Sequence, residues 1–303
     1  MQSGLILTLK GDRNMKTKYG FTLFENIKEF KTWLDKQDVK RKITRLQVHM
    51  MYEPNYNTWE GTDKRVYGNN RELGRTNSLD EYGKVTWNSP DGHGHYIAQH
   101  FNIFPNGKIT TGRSLESTPI GVRGWNTNAI CIEIYGNFDK GHDIMTNEQK
   151  DSTIAVYSLL ADKFDIPKNA NGIRPHCWFT AGGTYLGGYD KNKSAKSCPG
   201  TNFMGFGNTK KAFNEYFYPL IQEYKYDNKI IEDKVCYNCN AKVVCNDTLN
   251  VRAARPKDGV LADIKFTLPK GTIVQIGYSF DGRCSIYTED NYGYVNKKYL
   301  EII

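Results

Sequence analysis

The chain lacks several things whose absence narrows its function. No stretch reaches the roughly 18 consecutive apolar residues of a membrane-spanning helix, so membrane insertion is not expected. The N-terminal "SGLILTLKG" has too short an apolar run, and no basic lead, to read as a secretory signal. Basic residues do not gather in blocks, and no helix-turn-helix or RNP-type pattern is present. A net charge of +8 favours an acidic partner, whether nucleic acid, an anionic membrane or an anionic wall polymer, and without those patterns nucleic acid is the weaker reading. Seven cysteines without an export signal argue for a reducing compartment and against a disulfide framework. The expectation is a protein made in a cytoplasm. Histidine is scarce: His49, His93, His95, His100, His142 and His176 are all there is.

What is present suits a folded chain. Apolar residues make up 39% of the 303 positions, with 20 tyrosines, enough for packed cores and too aromatic for a disordered polymer. Such a length suggests two domains. The stretch "FTLFENIKEFKTWLDKQDV" reads as a helix, with Thr22 and Glu25 as a capping pair and Phe24, Ile27, Phe30 and Leu34 on one face. "ITRLQVHM" (Ile43 to Met50) reads as a strand ending at His49. From Met51 to about Gly94 polar residues and glycines predominate and periodicity is weak, which reads as a long functional loop. "YIAQHFNIF" and "GKITTG" form a hairpin around "PNG". "AICIEIYG" suits a central strand covered on both faces. "TNEQKDSTIAVYSLLADKF" reads as a helix capped by Thr146, and "NTKKAFNEYFYPLIQEY" as a weaker one broken at Pro219.

Beyond Tyr224 a charged stretch leads into short strand-like runs, "AKVVC", "LNVRAA", "TIVQIGY", "CSIYT" and "YGYVN", as in a small β-barrel. The expected organisation is a catalytic domain over 1–225, a linker over 226–240 and a small β domain over 241–303.

His49, His176 (in "GIRPHCW") and Cys198 (in "KSAKSCPGTNF") lie at the edges of expected elements, where a scaffold can hold zinc ligands around an open position. On spacing alone, three separately packed residues remain the simpler reading.

The ordered stretches "AQHFNIFPNGKITTGR", "VRGWNTNAICIEIYGNFDKG" and a later "AKSCPGTNF" resemble the zinc-dependent N-acetylmuramoyl-L-alanine amidases of phage-lysin type, relatives of the peptidoglycan recognition proteins. The resemblance covers about Thr44 to Tyr224. It implies an α/β fold, a mixed central sheet flanked by helices. It also implies Zn2+ held by His49, His176 and Cys198, with Glu133 as the catalytic carboxylate and Lys196 as the catalytic cation. The substrate would be bacterial peptidoglycan, cut between N-acetylmuramic acid and L-alanine, and the chain an endolysin that reaches the wall after release. Two other readings stand beside it: a non-catalytic peptidoglycan-binding relative, and a zinc peptidase cutting within the stem peptide. Where the family often has Tyr before the hairpin-strand His, this chain has Gln99, still a hydrogen-bond donor to substrate. Cys177, next to His176, is a rival ligand.

Other candidates carry less. "DGHGH" (Asp91 to His95) looks like a metal cluster but reads better as a solvated or substrate-contacting rim. His100 reads as packed and His142 as exposed in a turn. Trp125 can stack on substrate or pack in the core. Cys236, Cys239, Cys245 and Cys284 include one C-x-x-C, a weak sign of a second zinc. The C-terminal stretches "LNVRAARPKDG", "LPKGTIVQIG" and "YGYVNKKYL" resemble bacterial SH3-like wall-binding domains. That likeness implies a groove lined by Tyr278, Tyr287, Tyr292 and Tyr294, with Arg283 where the family usually has an aromatic.

Overall fold

The computed structural model describes residues 15–60, 71–226, 239–254, 261–280 and 283–303, without the side chains of 60, 239 and 278–280. The chain divides into two compact units, Met1–Lys225 and Tyr226–Ile303.

The first unit is built on a seven-stranded mixed sheet. Its elements, in chain order, are β1 (Lys16–Lys18), β2 (Phe21–Phe24), α1 (Ile27–Asp35), β3 (Arg45–Met50), α2 (Tyr56–Glu60), α3 (Arg71–Thr86), β4 (Phe101–Ile103), β5 (Ile109–Thr111), β6 (Ala129–Ile134), α4 (Asn147–Lys163) and β7 (Ile173–Pro175). The order across the sheet is β1-β2-β5-β4-β6-β3-β7. Strands β4, β6, β3 and β7 run parallel, and β1, β2 and β5 add antiparallel to one side.

The two-residue period of β3 and β6 divides their side chains. Leu46, Val48, Met50, Ile130, Ile132 and Ile134 share one face and are buried. Helix α4 packs against β3 and β4, and Tyr157 on it donates to the Gln47 carbonyl at 2.9 Å. Each fully buried aliphatic side chain here contributes about 1.5–3 kcal/mol. The opposite face of the same strands is polar: Gln47, His49, Cys131 and Glu133. The register sets His49 beside Glu133, Asn102 beside Glu133, and Gln47 beside Arg174.

Three expectations change. The run from Phe21 begins as a strand, because Gly20 (φ +82°) turns β1 back onto β2. The helix starts only at Ile27. Its cap is Asn26, whose side chain accepts from the Glu29 amide at 3.1 Å, while Glu29 accepts from the Glu25 amide at 2.8 Å; Thr22 and Glu25 are not the capping pair. The expected loop from Met51 to Gly94 contains α2 and α3. Helix α3 shows no apolar period because its inward side is largely polar: Glu72, Arg75 and Thr76 are buried with Leu73, and Thr76 meets Thr110 at 2.7 Å. Pro219 does not break the last helix. Lys210–Ala212, a π-helical turn at Phe213–Phe217 and Tyr218–Glu223 follow one another, and the widened turn takes up the bond proline cannot make. Helix α4 has the expected Thr146 cap, which accepts from the Gln149 amide.

The second unit is all antiparallel: β8 (Cys239–Val243), β9 (Thr248–Arg252), β10 (Ile264–Pro269), β11 (Ile273–Phe280), β12 (Arg283–Tyr287), β13 (Tyr292–Asn296) and β14 (Leu300–Ile302), in the order β10-β9-β13-β12-β11-β8-β14. This arrangement fits an SH3-like domain. Its core gathers Ala241, Val243, Leu249, Val251, Leu268, Val274, Ile276, Cys284, Ile286 and Val295. Strands β10 and β14 were not anticipated; both are largely exposed and lack clean alternation. Among the described residues of the whole chain, no helix is long and apolar enough to cross a membrane.

Candidate metal centre

Two neighbouring strand ends and a later loop converge on one point. His49 is the penultimate residue of β3, His176 directly follows β7, and Cys198 comes from the later loop. Their ligand-capable atoms all lie within 4.8 Å of one another. The two imidazoles meet edge to face, 4.9 Å between centroids. Burial pushes His176 down to about 4 and His49 well below the usual range, helped for both by the Lys196 charge. Both rings are therefore neutral at physiological pH, the form that binds a metal. The Cys198 sulfur is buried and accepts from the Met50 amide at 3.2 Å. Burial, then the nearby Glu133 carboxylate, raises its pKa, so a cation must displace its proton.

The Cys198 loop is tied down from several sides. Asp139 accepts from the Ser197 hydroxyl at 2.7 Å and from the Thr201 amide at 2.8 Å. The Ser197 carbonyl accepts from Asn208 at 2.6 Å, and the Cys198 carbonyl accepts from the Cys177 amide at 2.8 Å. Gly200, at φ +114°, lies so close to Phe138 that a Cβ would stand 2.4 Å from its carbonyl. Cys177 itself is fully buried and turns its sulfur to the Asn208 carbonyl at 3.7 Å, away from the His49–His176–Cys198 cluster. The rival-ligand reading for Cys177 is thereby lost.

Glu133 stands beside this cluster. Its Oε1 is 3.7 Å from His49 Nδ1, and a fifth of its side chain is exposed. Its Oε2 is buried without a hydrogen-bond partner. Burial pushes its pKa up to about 8, with Lys196 pulling the other way. An orphaned carboxylate oxygen next to two neutral imidazoles and a thiol is what an absent cation and water would satisfy, so the donor set fits zinc. Lys196 is exposed, and its charge acts on His49, Glu133 and His176.

Two residues of this face were not anticipated. Cys131 lies two positions before Glu133 on β6, and its sulfur falls within 4.8 Å of ligand atoms of His49 and Glu133. Gln47, two positions before His49, has its Oε1 3.3 Å from His49 Nε2. Strand alternation from His49 and Glu133 points to both.

The remaining candidates fall elsewhere. Gln99 is buried and donates to Asn102 Oδ1 at 2.6 Å, so it touches Glu133's neighbour. Trp125 is only 7% exposed; its ring packs on Phe179, with the Arg45 and Arg174 guanidinia 5.1 and 5.0 Å from its centre. Packing, not presentation, describes it. Asp91 folds its own loop, accepting from the His93, His95 and Ser114 amides. His100 is buried, with Nδ1 accepting from the Cys131 amide and Nε2 3.0 Å from the Ser117 carbonyl. His142 is exposed in a turn.

In the second unit Tyr287 and Tyr292 are cross-strand partners stacked at 6.4 Å, and Tyr292 is half exposed under the Lys265 ammonium. Tyr294 is half-buried opposite Ser285, and Arg283 sits opposite Asn296. The side chain of Tyr278 lies outside the described residues, as do Cys236 and the side chain of Cys239. Cys284 is core and Cys245 meets the Asp247 carbonyl, and neither joins a metal-sized cluster among the described residues.

Sequence comparison places this geometry in a class. The model of the N-acetylmuramoyl-L-alanine amidase family matches residues 39–201, and the chain belongs to that family. Among solved structures it is similar to the N-acetylmuramoyl-L-alanine amidase LysC from Clostridium intestinale, at 20% identity over 58% of this chain and 85% of that one, with a TM-score of 0.36. It is also similar to Drosophila PGRP-LB, at 14% identity over 60% of this chain and 85% of that one, with a TM-score of 0.40. No protein of curated function matches the chain.

Proposed function

We propose that the chain is a zinc-dependent peptidoglycan amidase of endolysin type, which cuts between the lactyl group of N-acetylmuramic acid and L-alanine. The observation that carries this reading is the cluster of His49, His176 and Cys198 beside the unpaired Glu133 oxygen, within a chain of the amidase family.

His49, His176 and Cys198 would hold the ion. When bound, zinc polarises the amide carbonyl and brings the pKa of water toward ~7. Glu133 takes the proton of the attacking water and returns it to the departing alanine nitrogen. Its buried position, with one oxygen free, suits a group that must hold a proton between the two transfers. Lys196 places a positive charge where negative charge develops on the attacked carbonyl oxygen. The walls of the cluster, His49 and Cys198 among them, are buried, which keeps these charges in a low dielectric.

The second unit acts as a wall-binding module of SH3-like type, with Tyr287, Tyr292 and Tyr294 in its groove. A weak site joined to an enzyme raises its effective concentration on an insoluble polymer. No nucleic-acid partner is part of this reading.

Mass spectrometry of purified wall treated with the protein tests it. Free N-terminal L-alanine is the expected product. New ends deeper in the stem peptide indicate a peptidase, and intact wall indicates a binding protein.

A further inference from the structure

His49 is oriented by a hydrogen-bond chain whose polarity is forced from its far end. The Gly121 amide can only donate, and it meets Asn126 Oδ1 at 3.0 Å. That fixes Asn126 Oδ1 as an acceptor. The Trp125 carbonyl can only accept. Gln47 Nε2 is 3.0 Å from both of these acceptors, so it is the amide nitrogen that points to them. Gln47 Oε1 must then face the other way, and it is 3.3 Å from His49 Nε2. An acceptor there requires the proton of His49 on Nε2 and leaves the Nδ1 lone pair open. Nδ1 is the nitrogen on the Glu133 side, 3.7 Å from its carboxylate.

The neighbouring loop makes room for this arrangement. A Cβ on Gly121 would stand 2.0 Å from Gln47 Oε1 and 3.2 Å from the Cys131 sulfur. Gln47 is fully buried and on the same strand face as His49. Its side-chain amide makes three hydrogen-bond contacts among the described residues, two from Nε2 and one at Oε1.

We infer that Gln47 is a positioning residue that presents His49 Nδ1 to the metal, and that Gly121 is glycine to leave the Gln47 amide in place. This rests on the zinc reading of the site. Outer partners of a metal-bound imidazole fix its tautomer and ring direction, and their loss costs roughly 10- to 100-fold in metal affinity.

Two substitutions at one position separate this role from loop anchoring. Gln47→Leu removes both functions. Gln47→Glu keeps the acceptor for His49 but offers the Trp125 carbonyl and Asn126 Oδ1 at most the single donor of a protonated acid, so it weakens the anchor. Zinc affinity of the full chain is measured by competition with a chromophoric chelator. Gln47→Leu and Gly121→Ala are expected to bind roughly 10- to 100-fold more weakly, and Gln47→Glu within a few-fold of wild type. Equal affinity in Gln47→Leu, or a loss in Gln47→Glu as large as in Gln47→Leu, overturns the positioning role. Histidine 15N shifts of the zinc-free wild-type chain give a second reading that needs no variant. A proton on His49 Nε2 is expected, and a proton on Nδ1 overturns the inference. A wild-type chain that binds no zinc sinks the zinc reading itself, and this role with it.

Discussion

The two units use β-structure in opposite ways. In the second, the inward side of the strands is apolar from Ala241 to Val295, and among the described residues its one buried polar side chain is Ser285. In the first, strands β3 and β6 turn an apolar face to helix α4 and a polar face, with Gln47, His49, Cys131 and Glu133, to the other side. A half-sheet of buried polar groups forgoes the hydrophobic stabilisation that its neighbour enjoys and is tolerable only if each group is partnered. Most are. Glu133 Oε2 is not, and that is where chemistry is proposed. All six histidines also lie in the first unit, and none in the second. The contrast teaches that one sheet is organised around reactivity and the other around its own apolar core, with Tyr292 half exposed outside it.

The sharpest way to break this division is to remove a proposed ligand. Cys198→Ala is expected to lose stoichiometric zinc and to lower wall clearing by about 10³-fold or more, since a metal's charge stabilisation is several kcal/mol. Metal analysis beside turbidity of purified wall checks it, and retained lysis would place the chemistry elsewhere. A core deletion in the second unit should act on stability alone. Ile286→Ala is expected to destabilise that unit by about 2–5 kcal/mol in urea unfolding while the zinc content stays at wild-type level. A smaller effect is expected at the stacked tyrosines. Replacing Tyr287 and Tyr292 by Ala should reduce retention on wall by about tenfold, with hydrolysis of a soluble muramyl peptide unchanged.

The smallest effect is a pH response confined to one unit. Burial holds His100 at about 3 and His176 at about 4, below the ordinary value of 6.5. Above about pH 6.5 both are neutral whether folded or unfolded. As pH falls below that, the unfolded chain takes up protons that the folded one refuses, so stability is lost on acidification. The expected loss is about 1 kcal/mol per group between pH 6.5 and 5.5. Urea unfolding of the zinc-free chain at the two values should move the first unit's transition and leave the second's in place.

Much of this was legible in the sequence, for physical reasons that differ by element. Helix α4 announced itself through Thr146 and its apolar spacing. The strand carrying Glu133 was visible as a β-branched run, and the order His49, Glu133, His176, Cys198 carried the family likeness. Helix α3 did not show because Glu72, Arg75 and Thr76, not apolar residues, fill most of its buried side. Cys131 and Gln47 each look like an ordinary strand residue in the sequence until the register places them beside a ligand. Cys177 looked like a ligand by adjacency, yet its sulfur meets the Asn208 carbonyl and does not join the cluster of ligand atoms.

The central claim is that Glu133 moves protons beside a zinc ion it does not need to hold. Product analysis of wall treated with Glu133→Ala tests this most directly, with zinc measured on the same sample. The account predicts full zinc content and a turnover reduced by about 10²–10⁴-fold in released L-alanine termini. Turnover equal to wild type at full zinc content would contradict it.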